Sequence, residues 1–206
     1  MKTARSANGA RSLLLALFSV ILLALAAPGC ARYDELVLKD QTAAEMWSNL
    51  DAALQRRFDL VPNLVATVKA AATHEETTLA QITEARARVG QLKLTADDLT
   101  DPAKMAAFQK AQGELTGSLS RLMVIQEQYP DLKANTGFRD LMVQLEGTEN
   151  RILRAREEYN AAARAYNTEL LQIGGQVVNK VTGKPFKERV YFTAGAEVQA
   201  APKVSF

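Results

Sequence analysis

Residues able to carry chemistry are few and scattered. His74 is the only histidine among the 206 residues and Cys30 the only cysteine. His74-Glu75-Glu76 is therefore at most half of a two-histidine zinc motif, which needs a second His four residues on. At its helical spacing, His74 belongs on a solvated face. A nucleophilic Ser or Cys needs a neighbouring base, and no histidine remains to serve a loop Ser. Gly183-Lys184 lacks both the first Gly and the hydroxyl residue of a phosphate-binding loop. Di-iron bundles need paired Glu-x-x-His units, and the sequence has none. A single Cys excludes a disulfide framework. The expectation is a chain that is not an enzyme and binds no metal or cofactor.

Cys30 is placed where a different chemistry is expected. Residues 1–12 carry Lys2, Arg5 and Arg11 and no acid, and residues 13–27 form an apolar run interrupted only by Ser19. Fifteen residues suit a signal-peptide core better than a spanning helix, which needs about 20. The preceding positive charge keeps that end in the cytoplasm, so the rest of the chain is exported. Ala27-Pro28-Gly29-Cys30 follows and resembles a bacterial lipobox, in which the Cys thiol takes a diacylglycerol and becomes the new N-terminus. The alternative is an uncleaved anchor helix with an incidental Cys. Without residues 1–29, 22 of the 25 basic residues face all 23 acidic ones. No basic field is left to hold nucleic acid.

Charges on apolar stripes form a third group. Glu149 and Arg156 stand between Leu145, Ile152 and Tyr159, and Glu75 stands between Ala72 and Leu79. A buried unpaired charge is costly, so each needs a partner across the fold or must face water. Arg56 and Arg57, beside Phe58, are candidate partners. Such residues form either a polar layer that sets helix register or binds a ligand, or an interhelical ion network with no ligand.

The elements that must position these groups are helices. At 48% hydrophobic and 23% charged, with 11 Gly and 6 Pro, the chain has the composition of one compact domain with few turns. Apolar residues recur at steps of three and four from Tyr33 to Gln172. Residues 34–58 carry Leu36, Ala43, Met46, Leu50 and Leu54. Residues 60–89 carry Val61, Leu64, Val68, Leu79, Ile82 and Val89. Between them, Pro62 either starts a new helix or kinks a continuous one. A third stripe runs Met105, Phe108, Gln112, Leu115, Leu119, Leu122, Gln126 and Tyr129, opened by Asp101-Pro102 and closed by Tyr129-Pro130. The fourth carries Phe138, Leu141, Leu145, Ile152, Tyr159, Ala163, Tyr166 and Leu170, with Gly174-Gly175 as its stop. Residues 90–100 and 130–136 read as loops. Helices of this length run roughly 40–55 Å and bury their stripes only against one another. The predicted fold is all-α: an elongated antiparallel bundle of about four long helices over 30–173, with an irregular tail, 174–206, packed on it. A brief helix over 176–181 and apolar clusters at 190–192 and 204–206 mark that tail.

Three blocks of residues resemble the bacterial LemA family. Leu54-Gln55-Arg56-Arg57-Phe58-Asp59-Leu60-Val61-Pro62-Asn63-Leu64-Val65 is similar to its signature. Tyr129-Pro130-Asp131-Leu132-Lys133-Ala134-Asn135 follows with Phe138, Leu141 and Leu145. Glu149-Asn150-Arg151-Ile152, Arg156, Tyr159-Asn160 and Tyr166-Asn167 complete the order. The resemblance covers most of residues 33–170. It implies a bacterial membrane-attached protein with a helical bundle outside the cytoplasm, on the periplasmic or outer face. Two departures stand out: a lipobox-like Cys30 in place of the usual transmembrane helix, and Leu170-Leu171-Gln172-Ile173-Gly174-Gly175 in place of a Phe-Pro segment.

The stripe charges and the family blocks together single out Arg56, Arg57, Asn63, Glu75, Glu149, Arg156, Tyr159, Asn160 and Asn167 as candidate interaction or polar-layer residues, with Cys30 for lipidation. The expected function is a membrane-tethered scaffold or adaptor for envelope proteins. A membrane protease is a partner suggested by family association alone. The alternative is a carrier or sensor holding a small ligand or peptide between helices.

Overall fold

A computed structural model describes residues 4–71, 75–183 and 186–193, with side chains for 31–70, 75–183 and 186–193. The side chain of Cys30, all of His74 and the apolar cluster at 204–206 lie outside the described residues. Six helices follow in order: α1 (Ala4–Ala71), α2 (Glu76–Gln91), α3 (Pro102–Gln128), α4 (Pro130–Ala134), α5 (Thr136–Leu171) and α6 (Ile173–Val181). A 3₁₀ turn, Asp97–Thr100, precedes α3, and no strand is present among the described residues. The all-α bundle predicted from the stripes is the fold.

The first boundary differs from the expectation. Residues 60–89 do not form one helix: α1 continues through Pro62 to Ala71, and a separate helix, α2, begins at Glu76. Proline inside a helix strips the carbonyl four residues back of its amide partner. Here that carbonyl belongs to Phe58, and Arg86 on α2 donates its Nε to it at 3.1 Å. The same guanidinium stacks 3.8 Å above the Phe58 ring. A neighbouring helix thus satisfies the group that Pro62 orphans, and α1 need not end there.

The start of α3 follows the expectation. Asp101 Oδ1 accepts from the amides of Ala103 and Lys104 at 2.9 and 3.2 Å, with Pro102 in the first turn. Asn135 caps α5 through Phe138 N at 3.0 Å. The 130–136 loop contains the short α4. Gly174-Gly175 is no stop: α5 ends at Leu171, Gln172 makes the corner in extended conformation, and both glycines lie within α6. Gly175 is required at that corner because a Cβ there would collide with the Glu169 carbonyl oxygen.

Helix α5 runs antiparallel along α1, α2 folds back on the end of α1, and α3 returns along α2. The circuit stays open between α3 and α5, where no pair of Cα atoms comes within 8 Å. Three apolar clusters fill the interior. The distal one joins Val61, Leu64, Ile82, Leu115, Leu122, Phe138 and Leu145. The middle one joins Trp47, Leu50, Met105, Phe108, Ile152, Tyr159 and Phe192. The proximal one joins Leu36, Tyr166, Leu170 and Val178. Almost every residue of the four predicted stripes with a described side chain is buried or half-buried in them.

Candidate functional site

Polar residues occupy the gaps between the apolar clusters. Between the distal and middle clusters, Arg57 is buried to 2% exposure. Its guanidinium donates to Glu149 Oε1 at 2.9 Å, to Thr116 Oγ1 at 2.6 Å and to Gln112 Oε1, while Nε has no partner among the described residues. Glu149 keeps 37% of its side chain exposed, so Arg57 rather than Glu149 is the buried member of the pair. Arg56 is no partner in this layer; it faces outward and donates to Gln144 at 2.9 Å. Between the middle and proximal clusters, Arg189 pairs with Asp40, donating Nε to Oδ1 at 3.0 Å and Nη2 to the Asp40 carbonyl at 3.3 Å. Further along, the buried Glu169 accepts from Lys39 at 2.8 Å and Arg32 at 3.4 Å. Donation to Glu169 and to Glu35 raises the Lys39 pKa above the ordinary lysine value.

The second feature is a ladder built by α5 on an extended segment. Asn167 donates Nδ2 to Arg189 O at 2.9 Å and accepts Arg189 N on Oδ1 at 2.8 Å. Asn160 binds Phe192 O and N in the same two-point fashion, both at 2.8 Å. Tyr166 and Tyr159 donate to the carbonyls of Lys187 and Val190 at 3.0 and 2.8 Å. Both Tyr-Asn pairs are seven residues apart, about 10.5 Å along a helix. Three residues of extended chain cover about 10 Å, so the rungs at 189 and 192, and at 187 and 190, keep step with α5. The direction is antiparallel. Asn179 on α6 adds a third two-point rung, to Phe186. Burial pushes both tyrosine pKa values up to about 12, so both phenols stay donors at neutral pH.

From 190 onward the segment lies in the seam between α3 and α5. Gln109 on α3 donates to Tyr191 O at 2.8 Å, opposite Asn160 on α5, and Thr193 Oγ1 donates back to Gln109 Oε1 at 2.7 Å. Beyond Thr193 the seam opens into a cavity of about 610 Å³, lined among others by Gln112, Glu149, Leu153, Arg156 and Glu157. Among the described residues Arg156 makes no ion pair. The cavity thus holds apolar wall, one uncommitted guanidinium, two carboxylates and the rim of the Arg57 layer. That set suits binding of a polar chain; it has no paired nucleophile and base.

The remaining predicted residues fall elsewhere. Among the described residues Glu75 meets no cation; it accepts from Tyr129 Oη at 3.0 Å, and that bond together with burial raises the phenol pKa. Asn63 is exposed on α1 with no side-chain bond among the described residues. The sequence reading missed Asp40, Gln109, Asn179 and Arg189. A signal existed for the ladder. Asn beside Tyr on a buried stripe, repeated after seven residues, serves no helix hydrogen bond and so calls for a partner from another segment.

A model of the LemA family matches residues 46–206, a stretch that takes in Arg57, Glu149 and the whole ladder. The chain is also 28% identical to the magnetosome protein MamQ of Magnetospirillum gryphiswaldense, across 91% of this chain and 74% of that protein. The magnetosome proteins MamQ 1 and MamQ 2 of Paramagnetospirillum magneticum are each 28% identical across 78% of this chain. This chain spans 64% of the length of each of those two.

Proposed function

The chain belongs to the LemA family, and on that premise we propose that it is a membrane-tethered, non-catalytic helical scaffold, outside the cytoplasm, that binds other proteins of the envelope. The tether is residues 1–29 or a lipid on Cys30, read from the apolar run and the residues after it. Among the described residues no helix is long and apolar enough to cross a membrane.

The observation that carries the binding role is the α3–α5 seam. It already accepts an extended chain, 190–193, through Asn160 and Gln109, which hydrogen-bond its backbone groups, with one further bond to the Thr193 hydroxyl. Backbone-directed bonds tolerate many sequences, and flanking pockets add selectivity. Past Thr193 the seam offers Arg156, Glu157 and the half-exposed Glu149 to the side chains of a partner segment. An adaptor for a membrane protease is one form of this role, suggested by family association.

A photo-crosslinker at Leu153, an exposed residue on the cavity wall, tests the proposal in cells. The expected result is one reproducible protein adduct that Arg156→Glu abolishes. Recovery of the same bulk membrane proteins from both chains would overturn it. A second reading, a carrier of a peptide or small ligand, draws on the cavity volume, which lies within the range of ligand sites. It expects bound mass that survives desalting in native mass spectrometry, lost in Arg156→Glu.

A further inference from the structure

We infer that the outer face of α6 rests in the headgroup layer of the bilayer that holds the N-terminus, so that the bundle is docked on the lipid surface as well as tethered to it. The inference deepens the membrane reading above and rests on it.

Ile173, Val177 and Val181 recur at i, i+4 and i+8 and share one face of α6. They are 84%, 55% and 80% exposed, and Leu171 at the end of α5 adjoins them, also exposed. Gly175 and Val178, on the opposite face, are buried, Val178 in the cluster with Leu36, Tyr166 and Leu170. The helix is therefore amphipathic twice over, with one apolar face in the core and the other facing outward. Soluble helices rarely leave such a face to water, whereas helices that lie on a bilayer carry one.

Position along α1 identifies what covers this face. A Cβ on Gly174 would lie 3.6 Å from Cγ and Cδ of Arg32, so α6 begins beside Arg32. The apolar run ends at Ala27, and α1 is helical throughout. Five residues of helix rise about 7.5 Å, which is about the depth of the headgroup layer on one side of a bilayer. If the chain instead starts at a lipidated Cys30, the acyl chains leave it only two residues before Arg32. Both anchors bring α6 to the same level, and the bilayer is the one partner that either anchor requires there. Arg32 and Lys180, both exposed and next to the apolar face, have side chains long enough to reach phosphates.

The test uses the full chain reconstituted in phosphatidylcholine–phosphatidylglycerol vesicles. Val177→Trp and, separately, Val181→Trp report on α6, and Val143→Trp, exposed on α5 roughly 40 Å further from the anchor, is the control. Trp47 supplies the same background in each chain. The expected result is quenching by brominated acyl chains and a blue shift at 177 and 181, with neither at 143. Chains that float with the vesicles yet show equal signals at all three positions would overturn the inference and leave the tether standing. Disulfide-free crosslinking of α6 to a second copy, with no quenching, would overturn it in favour of a dimer. Chains that fail to float would overturn the membrane reading and the inference with it.

Discussion

Replacing Asn167 by Ala should release the extended segment from α5. The substitution removes two hydrogen bonds, to Arg189 N and Arg189 O, in a site where both residues are buried. Each bond contributes about 1 kcal/mol net, and each buried group left without a partner costs about 1–3 kcal/mol. Because the segment can open rather than keep both orphans, the loss is expected at about 2–4 kcal/mol, or roughly thirty- to a thousandfold in the opening equilibrium. Amide hydrogen exchange reads this directly. In the parent chain the amides of Phe186, Arg189, Val190 and Phe192 have acceptors at 2.7–2.9 Å. Those of Lys187, Glu188 and Tyr191 have none among the described residues, so protection should follow that uneven pattern. Asn167→Ala should collapse protection at 189 and 190 and weaken it at 192, while Asn150→Ala, exposed on the same helix, should change nothing. Uniformly fast exchange over 186–193 in the parent chain would refute the ladder. Unchanged protection at 189 in Asn167→Ala would refute the role given to that side chain.

The Arg57 layer makes a second prediction by its asymmetry. Arg57→Ala should cost about 3–5 kcal/mol in urea unfolding, since it leaves a cavity and strands the buried Gln112. Glu149→Ala should cost only about 1–2 kcal/mol, because Glu149 is part-exposed and Arg57 keeps Gln112 and Thr116 as acceptors. Equal costs would show that Gln112 and Thr116 do not compensate the buried guanidinium once Glu149 is gone. At the α5–α6 corner, Gly175→Ala should cost more than about 2 kcal/mol, since the new Cβ would collide with the Glu169 and Leu170 carbonyls. Gly174→Ala meets only ordinary contacts with Arg32 and should be near neutral in the same melt, and the reverse order would overturn the assignment of that corner. The ladder tyrosines predict a pH dependence. Their folded pKa values of about 12 lie above the ordinary tyrosine value of 10.0, so their contribution is fully present below pH 10 and is lost as pH rises towards 12. The loss should be on the order of 2–3 kcal/mol for each tyrosine. Tyr159→Phe should flatten the slope of stability between pH 10 and 12, and an unchanged slope would count against burial of that phenol.

The stripes were legible because each is a local repeat. Met105 to Tyr129 and Phe138 to Leu170 mark their buried faces by spacing alone, and Asp101-Pro102 marks a helix start by chemistry confined to four residues. Errors arose where the deciding partner is remote in sequence. Pro62 leaves open whether a helix starts or continues there until Arg86, 24 residues on, supplies the Phe58 carbonyl with a donor. Gly174-Gly175 reads as a stop because small residues close helices, yet here Gly175 admits the carbonyls of the preceding turn. Glu149 reads as the buried charge because it sits on a stripe, but the open seam beside it lets in water, and the burial passes to Arg57.

The sequence by itself therefore determined the class of the protein: helices and their apolar faces, with an N-terminal apolar run. Period and composition are properties of neighbouring residues and need no third dimension. Only the tertiary structure decided what the Tyr-Asn pairs at 159–160 and 166–167 are for. Their partners lie 21 to 32 residues away in a stretch with no periodic signal, and the match between seven helical and three extended residues exists only when the two run side by side. The same holds for the seam. It is open because α3 and α5 both pack on other helices and not on each other, a relation among four elements that no single stripe encodes.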